Sequence, residues 1–113
     1  YVGKYPFDKV DGISFLDDPK VAAAVRASGA ETRVQELILG GAGPQTPIRK
    51  VAGKIVSWGC EAHNCGPHNW TLALLADGTG GEVCYYNEDE GAAPVWYADG
   101  KRSPRTDPCP SGE

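Results

Sequence analysis

A short loop carries most of the residues whose types and spacing could do chemistry. It reads Cys60-Glu61-Ala62-His63-Asn64-Cys65-Gly66-Pro67-His68. Two cysteines five positions apart can form a disulfide that closes a small ring, which would hold His63 in a fixed place with little ordering cost on binding. The entropic stabilisation from a disulfide grows with loop length, so this short ring is better explained by shape than by stability.

The residue types alone leave four interpretations of this loop open. The ring can be a structural strand connection in which His63 is solvated. The cysteines can bind zinc with His63 and His68, although zinc ligands usually form two pairs well separated in sequence. His63 can be a general base, but no nucleophile or carboxylate accompanies it at a diagnostic spacing. Finally, the loop can insert His63 into the cleft of a partner protein. Since the cysteines are not in a Cys-x-x-Cys arrangement, thioredoxin-like redox chemistry is disfavoured.

Two short helices are predicted ahead of the loop. The Asp-Asp-Pro sequence at 17–19 offers an N-cap followed by a proline at the first helical position, and the helix continues over Lys20–Ser28. A second helix is predicted over Glu31–Leu39 from its apolar stripe. The glycine-rich segment 40–44 lacks the Lys-Ser/Thr ending of a phosphate-binding loop and is predicted to be a turn.

The second half of the chain changes to the period-two pattern of strands. Turns are predicted at 77–81 and 99–100, an extended segment at 1–14 and an irregular, proline-rich tail at 103–113. Helices followed by a strand meander predict an α+β fold, with a single antiparallel sheet and the two N-terminal helices packed on one of its faces. The strands are predicted at Lys54–Trp58, Asn69–Leu75, Glu82–Tyr86 and Pro94–Ala98.

Composition narrows the class of protein. The 113 residues suit one domain, 1–113, and the net charge of −4 without a basic cluster argues against nucleic-acid binding. No apolar run approaches the roughly 20 residues that a membrane-spanning helix needs, so membrane insertion is not expected. Four cysteines fit two disulfides in an oxidising compartment. The chain begins at Tyr1 rather than Met, so we expect a periplasmic or secreted protein whose signal peptide has been removed.

The loop resembles that of the Ivy family, which are periplasmic inhibitors of vertebrate-type lysozyme. The family loop reads Cys-Lys-Pro-His-Asp-Cys, and here the letters are Cys-Glu-Ala-His-Asn-Cys over residues 60–65. The order of elements is similar too, with helices upstream, a strand on each side of the loop and a hairpin back to aromatic residues. In architecture the likeness spans Tyr5 to Ala98, whereas in recognisable letters it covers the loop only.

The resemblance implies a mechanism and a partner. In the family, the disulfide-closed loop enters the active-site cleft of a c-type lysozyme, where the loop histidine lies between the two catalytic carboxylates. Carried over, this makes His63 the inhibitory residue and the Cys60–Cys65 disulfide its frame, with Glu61, Ala62 and Asn64 completing the ring. No catalytic residue, metal or cofactor is then expected. The alternative is an Ivy-like envelope binding or structural module without lysozyme inhibition, and family members that dimerise make a homodimer an option.

The chain also departs from the family. Glu61 replaces a lysine and is expected to be repelled by the partner's carboxylates, and Ala62 replaces a proline that restricted the ring. Cys84 and Cys109 lie outside the usual single-disulfide pattern, and we predict that they pair and attach the tail to a hairpin strand. His68 is expected only to shape the loop exit, and the acidic run Asn87–Glu90 to be a solvated turn.

Overall fold

The computed structural model describes residues 2–41, 43–75, 80–91, 93–104 and 109–110. Within these ranges the chain forms two α-helices, one 3-10 helix and eight strands. In chain order they are β1 Lys9–Val10, β2 Ile13–Ser14, the 3-10 helix Phe15–Asp17, α1 Pro19–Ala27, α2 Thr32–Leu39, β3 Arg49–Val51, β4 Lys54–Cys60, β5 His68–Leu75, β6 Gly81–Asn87, β7 Val95–Ala98 and β8 Lys101–Pro104.

Strands β3 to β8 form one six-stranded antiparallel sheet in the order of the chain. This confirms the predicted α+β meander. The sheet also contains two strands, β3 and β8, that were not predicted from the sequence. A tight turn joins β3 to β4, and another joins β7 to β8. In each turn two consecutive residues have positive φ, the geometry that matches the twist of a hairpin. Asp99 and Gly100 have φ of 51° and 78°, as their sequence suggests, whereas Ala52 and Gly53 (50° and 81°) carry a weaker signal.

Both helices pack on the same face of the sheet, as predicted. Helix α1 begins at Pro19 because the Asp18 side chain accepts a hydrogen bond from the Lys20 amide at 2.9 Å. Alternate residues of β5 and β6 point to this face and join the helices in one hydrophobic core. The core includes Val25, Val34, Ile38, Trp70, Leu72, Leu74, Val83 and Tyr85.

The opposite face carries the second disulfide. Cys84 of β6 bonds to Cys109, and the two sulfurs pack with Trp96 in a smaller buried cluster. The Thr71 hydroxyl donates to the carbonyl of Pro110 at 2.7 Å, so the tail crosses β5 on this side. The predicted pairing of Cys84 with Cys109 is therefore present, and it holds residues 109–110 against the sheet.

Two expectations need correction, and some of the predicted turn and tail positions lie outside the described residues. The segment predicted as extended over 1–14 contains turns and the short β1–β2 hairpin within its described residues. The tail predicted as irregular from Ser103 begins inside β8, which pairs with β7. Residues 77–79 of the predicted hairpin turn, and 105–108 and 111–113 of the tail, lie outside the described residues. No helix in the described part of the chain has the length and apolar character needed to cross a membrane.

Candidate functional site

The loop between β4 and β5 is a closed ring, as the cysteine spacing predicted. Cys60 ends β4 and bonds to Cys65, with 4.8 Å between their Cα atoms. Inside the ring, the Asn64 amide donates to the Glu61 carbonyl at 3.0 Å, which closes a four-residue turn. Since both sulfurs are consumed in the disulfide, Cys60 and Cys65 are not available as thiolate ligands, and the described residues contain no other cluster that could hold a metal ion.

His63 lies at the outer corner of this turn. Its φ is +62°, the left-handed region that non-glycine residues rarely adopt. The residue is exposed, and in the described part of the chain no hydrogen bond or ion pair joins its imidazole to another residue. A backbone conformation that costs free energy, combined with an imidazole that is not used within the fold, motivates a functional interpretation.

The base of the ring is held by the glycine-rich segment that follows α2, which the sequence suggested only as a turn. The Cys60 amide donates to the Pro44 carbonyl at 3.1 Å, and Gln45 forms an isolated β-bridge with Gly59. Gly43 has a φ of +66°, and a Cβ atom there would overlap the Cys60 carbonyl oxygen. The segment therefore needs glycine to approach the ring this closely.

Gly43→Ala is expected to destabilise the protein by about 1–3 kcal/mol, because it adds both left-handed strain and an overlap with Cys60. Urea unfolding followed by tryptophan fluorescence measures this change. Gly53→Ala is the matched control, since Gly53 has a φ of +81° but nothing within 4 Å of the added Cβ atom. Equal destabilisation by the two substitutions would show that the contact with the ring contributes nothing.

Glu61, the acid expected to be repelled by the partner's carboxylates, forms contacts within the loop. Its carboxylate accepts a hydrogen bond from the Asn64 side-chain amide at 2.8 Å and lies 3.3 Å from Nδ1 of His68. Two hydrogen bonds hold the pKa of the Glu61 carboxyl below its usual value. The bond from Asn64 contributes more to this lowering than the bond from His68. The side chain is 53% exposed, so it stays ionised and partly solvated.

His68, expected only to shape the loop exit, has contacts that the sequence analysis did not predict. It is the first residue of β5 rather than a turn residue, and its side chain is only 12% exposed. The ring packs edge-on against Trp70 and Tyr85, with centroid distances of 5.2 and 5.4 Å, and its Nε2 lies 2.8 Å from the Tyr85 hydroxyl. The period-two pattern was the available signal, because residue 68 falls on the core face shared by Trp70 and Leu72.

The Tyr85 hydroxyl connects the loop to helix α2 through an ion pair. The Tyr85 hydroxyl lies 3.3 Å from Glu90 Oε2, and Glu90 accepts two parallel hydrogen bonds from Arg33 at 2.7 and 2.5 Å. The Arg33 hydrogen bonds hold the pKa of the Glu90 carboxyl below its usual value, while burial raises the pKa of Tyr85. The run Asn87–Glu90 is thus more than a solvated turn, because Glu90 links Tyr85 to Arg33 in this network.

Glu90→Gln is expected to remove an acid-sensitive part of the stability. Because the folded-state pKa of Glu90 is lowered, its contribution is present at neutral pH and is lost as the pH falls through that folded-state pKa. Arg33 and Glu90 are 50% and 42% exposed, so solvent screening limits the effect to less than about 1 kcal/mol. Unfolding free energies at pH 7 and pH 3 test this against Glu88→Gln, an exposed acid of the same turn. An identical pH dependence in the two variants would contradict the assignment.

Comparison with known proteins gives no family assignment: no protein-family model and no characterised protein matches this chain.

Proposed function

We propose that this protein is a periplasmic or secreted inhibitor that blocks the active-site cleft of a c-type lysozyme with its Cys60–Cys65 ring. The observation that carries the proposal is the state of His63. It is exposed at the corner of a disulfide-closed turn, in a left-handed conformation, with its imidazole unused by the described residues. The ring is braced at its base by Pro44, so the corner is presented with little entropy left to lose on binding.

The chemistry of a retaining glycosidase explains why an imidazole would inhibit it. Such an enzyme uses two carboxyl groups, about 5–5.5 Å apart, on either side of the bond it cleaves. A protonated imidazole between them donates a charge-assisted hydrogen bond to each, one from each ring nitrogen, in a site from which water is excluded. The inserted His63 then occupies the place of the substrate and blocks proton transfer by the catalytic acid.

Charge supports the same partner. The chain has a net charge of −4, which favours encounter with a strongly basic enzyme. Glu61 is the residue that most opposes insertion, because it is an acid beside two acids. Its carboxylate is already bonded to Asn64 and lies beside His68, so its charge is directed toward the base of the loop rather than toward the partner.

The two disulfides support a location outside the cytoplasm. Disulfides of this kind persist in the periplasm and outside the cell, where peptidoglycan and secreted lysozymes meet. The proposed location and the proposed partner therefore agree.

The proposal is tested by lysis of a peptidoglycan suspension with a vertebrate c-type lysozyme. The oxidised chain is expected to inhibit lysis with one-to-one stoichiometry. The double variant Cys60→Ser/Cys65→Ser should inhibit about 10- to 100-fold less well, because the open loop must be ordered on binding. The control is Cys84→Ser/Cys109→Ser, which leaves the ring intact and should still inhibit. Unchanged lysis at a large molar excess of the oxidised chain would overturn the proposal.

A further inference from the structure

His68 lies where the ring meets the sheet. Its Nδ1 faces Glu61 of the loop at 3.3 Å, and its Nε2 faces the hydroxyl of Tyr85 at 2.8 Å. The side chain is 12% exposed, so these two contacts rather than bulk water satisfy its nitrogen atoms. A single imidazole therefore joins the loop carboxylate to a core tyrosine.

The neutral form of His68 satisfies both contacts in one arrangement. The Nδ1–H group donates to Glu61 Oε2, and Nε2 accepts the hydroxyl hydrogen of Tyr85. In this state the Tyr85 hydroxyl cannot donate to Glu90. Glu90 nevertheless keeps its hydrogen bonds from Arg33 and from the side-chain amide of Asn87, which lies at 3.1 Å.

The protonated form satisfies both contacts in a second arrangement. Both ring nitrogens then donate, Nδ1 to Glu61 and Nε2 to the Tyr85 oxygen. The hydroxyl hydrogen of Tyr85 rotates toward Glu90 Oε2, which lies 3.3 Å away. The geometry thus accommodates a proton on His68 by rotation of one hydroxyl group, and the gain is that the donor to Glu61 then carries a positive charge.

We propose that His68 is a positioning residue that holds Glu61 away from the bound partner, and that its protonation strengthens binding of the ring in weakly acidic solution. This rests on the proposed inhibition of c-type lysozyme. A protonated imidazole offsets the Glu61 charge, which would otherwise repel the partner's carboxylates.

Charged and titratable groups approach His68 from the loop, from β6 and from the turn that follows β6. Tyr85 contacts it from β6, and Glu90 lies beyond that hydroxyl with its charge paired to Arg33 of α2. Glu88 approaches the loop through its backbone amide, which donates to the Pro67 carbonyl at 2.8 Å. Glu61 is therefore the one acid in the described residues within hydrogen-bonding distance of the His68 ring.

The first experiment follows the free chain by NMR, without any partner. The side-chain amide signals of Asn64, which report on Glu61, are recorded from pH 5 to pH 8, the range in which histidines change charge. A step is expected in the wild type and in His63→Ala, and it should vanish in His68→Gln, whose amide keeps a donor and an acceptor but takes up no proton. Persistence of the step in His68→Gln, or its absence from the wild type, would overturn the proposal.

Tyr85→Phe gives a second variant that does not depend on the behaviour of His68→Gln. It removes the hydroxyl that contacts Nε2 in both arrangements but keeps the aromatic packing, so the pH of the step should differ from that of the wild type. A step at an unchanged pH would contradict the hydroxyl rotation. Near-ultraviolet circular dichroism establishes that each variant keeps the native packing of its aromatic residues.

The second experiment measures the Kd for a c-type lysozyme at pH 5.5 and pH 7.5. The Kd at pH 7.5 divided by the Kd at pH 5.5 is expected to be about threefold smaller in His68→Gln than in the wild type, and the contribution of His63 cancels because both chains contain it. Equal ratios would overturn the role of His68 in binding. Absence of binding by every chain, with the NMR step intact, would instead overturn the proposed function and support the positioning of Glu61.

Discussion

His63→Ala is expected to weaken inhibition of a c-type lysozyme by roughly 100-fold, which corresponds to a loss of about 3 kcal/mol of binding free energy. The size of the effect follows from where the imidazole would lie, because a desolvated side chain bonded to two carboxylates is the kind of contact that dominates an interface. Calorimetric titration and the concentration that halves lysis both measure it. A change of less than about threefold would mean that His63 is not the inhibitory residue.

Two further substitutions test whether the effect on inhibition is specific to the imidazole of His63. Thr32→Ala changes an exposed neutral residue of α2 and should leave inhibition unchanged. His63→Asn keeps a hydrogen-bonding side chain that tolerates the left-handed backbone, so the fold should be at least as stable as the wild type while inhibition falls. Opposite movements of stability and inhibition would show that the strain at residue 63 serves binding rather than folding.

The two disulfides are expected to differ in what they stabilise. Cys84→Ser/Cys109→Ser should lower the free energy of unfolding by about 3 kcal/mol, because the bond spans 25 residues and the chain-entropy contribution grows with the enclosed loop. Cys84 is fully buried beside Trp96, so the lost packing adds to the loss. Urea unfolding monitored by fluorescence gives the change.

The matched variant is Cys60→Ser/Cys65→Ser, whose bond spans only 5 residues. It should destabilise the chain less, by about 2 kcal/mol in the same entropic estimate, and yet lose most of its inhibition. A larger loss of stability from the ring variant than from the tail variant would contradict this division. So would strong inhibition by a chain whose ring is open.

Most of the fold could be predicted because local signals agreed with the tertiary structure. Asp18 and Pro19 define the start of α1, and the period-two pattern of β5 and β6 defines which face is buried. Strand β3 escaped prediction because three residues, two of them charged, give too little periodicity. The strand forms because it pairs with β4. The turn between them begins with an alanine at positive φ, a residue that such turns do not favour.

The candidate site was only partly predictable. The ring follows from the cysteine spacing, which is local in sequence. The role of His63 rests on the resemblance of the loop to the Ivy family and stays a proposal. His68 and its partners are not local, since Tyr85 lies 17 residues away and Arg33 meets Glu90 across 57. The support of the ring by Gly43 likewise depends on a tertiary contact with Cys60. Contacts of this kind form only when distant parts of the chain pack together, and a single sequence has no local pattern that identifies the partners.

The central claim is that the ring occupies the active-site cleft of a c-type lysozyme, and competition tests it most directly. The lysozyme is titrated with this protein in the absence and presence of a saturating N-acetylglucosamine trisaccharide, which fills the same cleft. We predict a one-to-one complex whose apparent Kd rises in proportion to the trisaccharide concentration. A Kd that is independent of the trisaccharide, or the absence of any complex, would contradict the account.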